Sequence, residues 1–380
     1  MKSLSLESFF RETIMTANQL IIDLSAIVHN YKVLQQWAGP DTHLMGVIKS
    51  DAYGHGMIPV AHALESAGCQ YFAVFDPLEG LLLRQKGFHQ PILILMGVYP
   101  DTADEAIAND LISVVYRKDM VEYLSQAACQ QGKPAQIQIK VDTGMNRLGV
   151  YPEDLAAFMA LIQSLPGLVI NGFISHFAVS EQPDNAYTER QMQKFVSAIS
   201  SYSLNGMVSH ISNSGGIINH KGLNYPIARA GIAIYGSPPD PGWSESSRLK
   251  PAMTFQSEII YLKTVPPEET ISYGRTYTTH KNTRVATLPL GYANGYNRKF
   301  SNKAHALVRG TYVPVIGRVC MNLTMIDVTD IPDVGVGDSV VLLGQQAQHL
   351  ITVDELANHV DTISYEIMCC LGSCNSRVYI

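Results

Sequence analysis

"LMGVIKSDAYGHGMIPVAHALESAG", residues 44–68, reads as one repeating unit of a parallel α/β protein. An unbroken apolar run ends at Lys49, and a polar, glycine-rich loop follows. A stripe of helical spacing then runs to a glycine stop at Gly68. Continuous rather than alternating apolar runs suit strands covered on both faces. The unit recurs along the chain. "YFAVF" 71–75, "PILILM" 91–96, "ISVVY" 112–116, "QIQIKV" 136–141, "LVINGFISHF" 168–177, "MVSHIS" 207–212 and "RAGIAIYG" 229–236 complete eight strand candidates. Helix-like segments separate them. "PEDLAAFMALIQSLPG" 152–167 opens on Pro and acids and closes on Pro-Gly, the expected order of caps. Eight alternations predict an N-terminal (β/α)8 barrel rather than an open doubly wound sheet.

Near residue 250 the pattern changes. "MTFQSEIIYLKTVP", "TRVATLPLGYANG", "HALVRGTYVPVIGRV", "TMIDVTDIP" and "GDSVVLLG" are strand-like and are separated by Gly, Pro, Asn and Asp. Helical spacing is nearly absent until "TVDELANHV" 352–360. This predicts a second, mainly β domain. The expected division is an extension over 1–18 (Met15 is an alternative start), a barrel over 19–249 and a β domain over 250–380.

Composition narrows the function. Of 380 residues 46% are hydrophobic and 16% charged, enough apolar material for a large core. The net charge of −6 excludes a nucleic-acid binder driven by a basic face. No stretch approaches the ~20 apolar residues of a membrane span. The start lacks a basic region followed by an apolar one. The six cysteines form no paired CxxC motif, so reduced thiols are expected and no metal site. A soluble, cytoplasmic protein is the expectation.

Barrel chemistry sits at the C-terminal ends of strands. Lys49 ends the first candidate strand; Lys140, Asp142, Asn146 and Arg147 follow the fifth. His176 ends the sixth, His210 the seventh, and Arg229 belongs to the eighth. "SNSGG" 212–216 offers Ser212 and Ser214 hydroxyls and a glycine-rich backbone to a phosphate. Each alone has a plainer reading, as a solvated charge or a core histidine. A lysine amine, a phosphate cradle and an arginine on one rim together suggest pyridoxal phosphate.

At this point the sequence resembles a known family. "IIDLSAIVHNY", "VIKSDAYGHG", "KVDTGMNRLG", "SHFA", "HISNSGG", "RAGIAIYG", "ISYGRTY", "LGYANGY", "GRVCMNLTMIDV" and "ISYEIMC" occur in the order seen in bacterial alanine racemases. The resemblance runs from about Leu20 to the C-terminus. It implies a barrel followed by a β domain, and interconversion of L- and D-alanine by two bases, supplying D-alanine for peptidoglycan. Lys49 would carry pyridoxal 5'-phosphate as a Schiff base and act as one base; Tyr273 would be the other, in the partner subunit's site. Tyr53, Ser214, Gly231, Ile232 and Tyr365 would hold the phosphate. Arg229 would meet the pyridine nitrogen, with His176 and His210 flanking the ring. Arg147 and Met321 would bind the substrate carboxylate, Tyr292 would line the site, and Lys140 would carry a carbamate that orients Arg147. A homodimer with shared active sites follows from these roles. A phenol titrates near 10 in water, so a tyrosine base needs nearby positive charge; His176 and Arg229 are the candidate relay.

Asn294 and Asn322 stand where the family commonly has Asp, and the tail "LGSCNSRVYI" lacks its usual Arg-Pro pattern. The alternatives are a serine or broad-specificity racemase on the same scaffold and a non-catalytic pyridoxal-phosphate-binding protein, which would resemble the barrel alone.

Overall fold

A computed structural model describes residues 17–182, 185–203, 206–220, 225–240, 242–243 and 246–380. Most of the expected extension, residues 1–16 with Met15, lies outside them. The chain forms two units, Asp23–Ala252 and Met253–Ile380, and the second also contains the strand β1 (Gln19–Ile22).

The unit Asp23–Ala252 is a ring of parallel strands. β2 (His43–Val47), β3 (Tyr71–Val74), β4 (Ile92–Ile94), β5 (Leu111–Val115), β6 (Ala135–Lys140) and β7 (Leu168–Ile174) pair in sequence order, and β8 (Ile227–Ala230) returns to β2. Between β7 and β8 the described residues supply one bridge, Ile174 to His210. Single hydrogen bonds complete the ring there. Val208 N and His210 N donate to Asn171 O and Phe173 O, and Arg229 N donates to Ser212 O. The strands form because both faces are covered: every residue of β4, β5 and β8 is buried. Helices cover the outside, and Leu24–Ala38 is typical. Asp23 caps its start by accepting from Ala26 N, and its buried face runs Ile27, Tyr31, Leu34, Trp37 at helical spacing.

The β unit has one large sheet, ordered Thr311–Pro314, His305–Val308, Ser339–Gln346, Met253–Glu258, β1, Arg377–Tyr379, and two small ones. In the large sheet lie β9 (Met253–Glu258), β14 (His305–Val308), β15 (Thr311–Pro314), β17 (Ser339–Gln346) and β19 (Arg377–Tyr379). β10 (Tyr261–Val265), β13 (Thr283–Leu288) and β16 (Thr324–Asp327) form the three-stranded sheet, and β11 (Thr270–Ile271) pairs with β12 (Tyr277–Thr278).

Three expectations shift. The strand expected within 229–236 lies earlier, at Ile227–Ala230, and 232–235 is a 3-10 turn instead. The first barrel strand ends at Val47, so Lys49 opens the next turn and does not close the strand. Residues 19–22, read as the start of the barrel region, pair with β9 and β19. Their alternation of half-buried and buried residues already marks a sheet with one covered face. The tail finds its place in the same sheet, where β19 runs parallel to β1.

Candidate active site

Lys49 stands at the C-terminal side of β2, and the four residues after it turn the wrong way. Ser50, Asp51, Ala52 and Tyr53 all have φ between 52° and 54°. For L-residues this left-handed helical region costs about 1–2 kcal/mol each, so neighbours must hold it. Asp51 Oδ1 accepts from Met57 N at 2.7 Å, and Asp51 O accepts from Gly56 N at 2.9 Å. Glu79 Oε1 accepts from Ser50 N at 2.6 Å. The turn aims the Lys49 amine over the Phe75 ring, 5.8 Å from its centroid. It also buries Tyr53 against Tyr235, ring centroids 4.8 Å apart.

Tyr53 meets the loop after β8. A Cβ on Gly231 would lie 3.0 Å from Tyr53 Oη and 3.8 Å from Ser214 Oγ. Ser214 Oγ accepts from Gly231 N at 2.9 Å. Two hydroxyls and the opening N–H groups of the 3-10 turn Ile232–Tyr235 thus converge where a Cβ would crowd the Tyr53 hydroxyl. Asn213 fixes the "SNSGG" loop by accepting from Gly216 N and from Ser180 Oγ. Ser212 differs from Ser214: it is fully buried, and its carbonyl serves β8.

Arg229 is 3% exposed and anchors the centre. Nη1 donates to His210 Nδ1 at 2.5 Å, and Nη2 donates to His176 Nδ1 at 2.9 Å. Nη2 also donates to the Ser175 and Ile211 carbonyls. A guanidinium only donates, so both Nδ1 atoms are acceptors and both rings are neutral. The proton of His210 therefore sits on Nε2, which donates to Gln138 Oε1 at 2.9 Å. Burial, then Arg229, holds both imidazoles well below the usual histidine value. Any positive charge on Lys140, Arg147 and Lys49 acts on His176 in the same direction. Burial lowers Arg229 to about 9, which leaves it cationic at neutral pH. Lys140 falls well below a normal lysine through burial, then Arg229 and Arg147, with Asp142 opposing. Arg147 itself is exposed, on a loop shaped by Asp142 Oδ1 accepting from Gly144 N and Asn146 N.

The β unit gathers a second group. Ser272 (φ 65°) leads from the buried Ile271, which packs with Val265, Val285 and Ile316, into the 3-10 turn Tyr273–Arg275. Its hydroxyl donates to Arg318 O at 2.7 Å. Tyr273 is 72% exposed beside a cleft of about 420 Å³ that Lys263, Cys320 and Met325 also line. Tyr292 N and Ala293 N donate to the Cys320 and Met321 carbonyls at 3.0 Å. This contact needs Gly291, whose Cβ would fall 2.0 Å from Cys320 O. Tyr273, Tyr292 and Met321 are therefore fixed by one set of loops, and all three are exposed. Tyr365 is exposed near the start of the helix Ser364–Cys374.

A family model described as the alanine racemase N-terminal domain matches residues 22–239, and one for the C-terminal domain matches 252–379. The chain belongs to the alanine racemase family. The alanine racemase of Halothermothrix orenii is 41% identical over 94% of this chain and 95% of its own. That of Syntrophobacter fumaroxidans is 42% identical over 92% and 94%. The crystal structure of alanine racemase from E. faecalis superposes with a TM-score of 0.90 at 31% identity, covering 97% and 99% of the two chains. The reaction is the interconversion of L-alanine and D-alanine by an isomerase acting on a small molecule. The match spans both domains of an alanine racemase, so nothing remains to favour a binding protein built on the barrel alone or a serine enzyme.

Against the alanine racemase pattern, Asn294 uses its side chain locally: Oδ1 accepts from Gly291 N at 3.2 Å and caps its own turn. Asn322 is exposed. Sequence reasoning passed over Glu79 and Gln138. A glutamine inside the central strand β6 was the available signal for Gln138, and Glu79 sits at the third position of the helix Pro77–Gln85. Among the described residues no helix is long and apolar enough to cross a membrane, and no three His, Cys, Asp or Glu side chains gather as a metal site would need.

Proposed function

We propose that this racemase uses Lys49 and Tyr273 as bases on opposite faces of alanine, with pyridoxal 5'-phosphate as its cofactor. The observation that carries the reading is the grouping at the C-terminal ends of the barrel strands of the Lys49 amine, Arg229 with its two imidazoles, and the Tyr53–Ser214–Gly231 cradle. That set fits a phosphorylated aldehyde. The cradle offers hydroxyls and N–H groups to a phosphate, Gly231 leaves it room, and Lys49 offers an amine to the carbonyl. Tyr53, Ser214, Gly231, Ile232 and Tyr365 would hold the phosphate, and Arg229 would meet the ring nitrogen between His176 and His210. When bound, the cofactor supplies the electron sink that lets the α-hydrogen of alanine leave as a proton.

The chain's own residues do the rest. Lys49 Nζ takes or returns the proton on one face and Tyr273 Oη on the other, so neither base has to swing around a planar carbon. Arg147 and the Met321 backbone receive the substrate carboxylate, and Tyr292 narrows the entrance. Burial, then Arg229 and Arg147, disfavours the ammonium form of Lys140, and the neutral amine can add carbon dioxide: its Nζ bonds to the carbon and releases a proton. The resulting carbamate would turn a repulsion of Arg147 into an attraction. A homodimer in which Tyr273 serves the partner's barrel suits its 72% exposure. The enzyme would work in the cytoplasm and supply D-alanine for peptidoglycan.

The test is incubation of the cofactor-loaded enzyme with L-alanine in D2O. D-alanine carrying deuterium at the α-carbon is expected. Exchange without inversion would remove Tyr273 from its role, and no exchange would remove Lys49 as well.

A further inference from the structure

Residues 76–79, Asp-Pro-Leu-Glu, have the pattern of a capping box. In that motif the acid at the third helical position turns back to the N–H of the capping residue. Half of it is present: Asp76 Oδ1 accepts from Glu79 N at 3.1 Å and opens the helix Pro77–Gln85. Glu79 sends its own oxygens elsewhere. Oε1 accepts from Ser50 N at 2.6 Å and Oε2 from Phe75 N at 2.7 Å. One carboxylate thus ties the loop after β2 to the loop after β3. The tied residues bracket the amine, since Ser50 follows Lys49 and the Phe75 ring lies under its Nζ. Ser50 is also the first of the left-handed residues.

We propose that Glu79 is a positioning residue for Lys49, setting the direction from which the amine enters the site by clamping Ser50 and Phe75. The proposal rests on the reading of Lys49 as the cofactor-bearing base. Chemistry dictates the residue type. Both partners are N–H donors, so the bridge needs two acceptors on one side chain, which a carboxylate has and an amide lacks. Glu79→Gln would set its NH2 against one donor. Glu79→Asp keeps the charge but is one methylene too short to span both loops.

The experiment compares holoenzyme of the parent, Glu79→Gln, Glu79→Asp and Asp76→Ala. The last removes the cap of the same helix and leaves the Ser50 and Phe75 bonds in place. Borohydride reduction of the parent followed by peptide mass mapping comes first. Cofactor mass on Lys49 keeps the site reading, and cofactor mass on another lysine overturns that reading without bearing on the clamp. For both Glu79 variants kcat is expected to fall about tenfold or more, the size of a lost charge-assisted bond, with KM changed less than about twofold. The pH dependence of the bound cofactor's visible absorbance should also move. Asp76→Ala should lower Tm while keeping kcat and the absorbance profile. Glu79 variants that lose Tm alone, as Asp76→Ala does, would reduce Glu79 to a helix cap and overturn the proposal. If Glu79→Gln does not fold, Glu79→Asp with parental kcat and absorbance overturns it equally.

Discussion

In the proposed site Arg229 would stand where an acid normally serves a pyridine nitrogen, and its environment leaves little freedom. Its Nη1 and Nη2 donate to two imidazoles and to main-chain carbonyls. A guanidinium so held does not readily hand over a proton. A pyridine ring beside it would withdraw fewer electrons, which would favour return of the proton at the α-carbon over side reactions. Arg229→Glu is expected to raise the ratio of transamination to racemisation, measured as pyruvate formed per D-alanine; an unchanged ratio would count against this role. The same network makes a stability prediction. His210 is fully buried and its pKa lies well below the ordinary value, so the folded protein keeps it neutral. The unfolded chain protonates it below about 6.5. Stability is therefore lost as pH falls below that value, by about 1.4 kcal/mol per pH unit from this one group until the folded ring titrates. Urea unfolding at pH 7 and pH 5.5 should show it, and the slope should shrink in His210→Gln. Lys140 gives a third test. Enzyme equilibrated with 13C-bicarbonate should show a carbamate carbon that disappears in Lys140→Arg; a plain lysine would leave no such signal.

Among the elements, the left-handed turn 50–53 is the least expected. Of Ser, Asp, Ala and Tyr only Asp visits positive φ with any readiness, and four such residues in a row have no sequence signal. Glu79 holds the Ser50 N–H from outside the turn, and Asp51, inside it, accepts from Met57 N. Ser50 is exposed at φ 53°. Ser50→Gly should therefore keep or raise Tm, and Ser50→Val should lower it by several degrees, since a branched side chain fits that region poorly. A fall of similar size in both would mean the serine side chain matters more than its backbone. The other elements were legible to different degrees. β2 to β6 followed from continuous apolar runs, and Lys49, His176 and Arg229 could be placed near strand ends from spacing alone. The segment 207–212 looks as apolar as its neighbours yet makes one bridge, because its hydrogen bonds to β7 and β8 are taken singly. The helix Ser364–Cys374 carries Ile367, Met368 and Leu371 on its buried side, but its cysteines and serines hid the spacing. Pairing across the chain, such as Glu79 to Ser50, has no local signature at all.

At the scale of the whole molecule, the proposed site needs residues from both units. Tyr273, Tyr292 and Met321 are exposed on the β unit, while Lys49, Arg229 and the cradle belong to the barrel. If two-fold symmetry brings one chain's tyrosine to the other's lysine, two dead variants can repair each other. Lys49→Ala and Tyr273→Phe homodimers should both be inactive. After mixing and subunit exchange, half the dimers are hybrids with one intact site each, so about a quarter of the parental activity should return. Mixing that restores nothing would place both bases in one chain.

The large β sheet sets β1 beside β9 and β19, so strands from the two ends of the chain lie next to each other, and Ile380 N donates to Ile22 O. Residues 23–252 are translated between them. On the ribosome the barrel can therefore be complete while Gln19–Ile22 still waits for both of its neighbours. The later of these, Arg377–Tyr379, is made long after β1. A nascent chain would hold a folded barrel and an unfinished sheet edge at the same time. Losing residues 377–380 would leave that side of β1 unpaired for good.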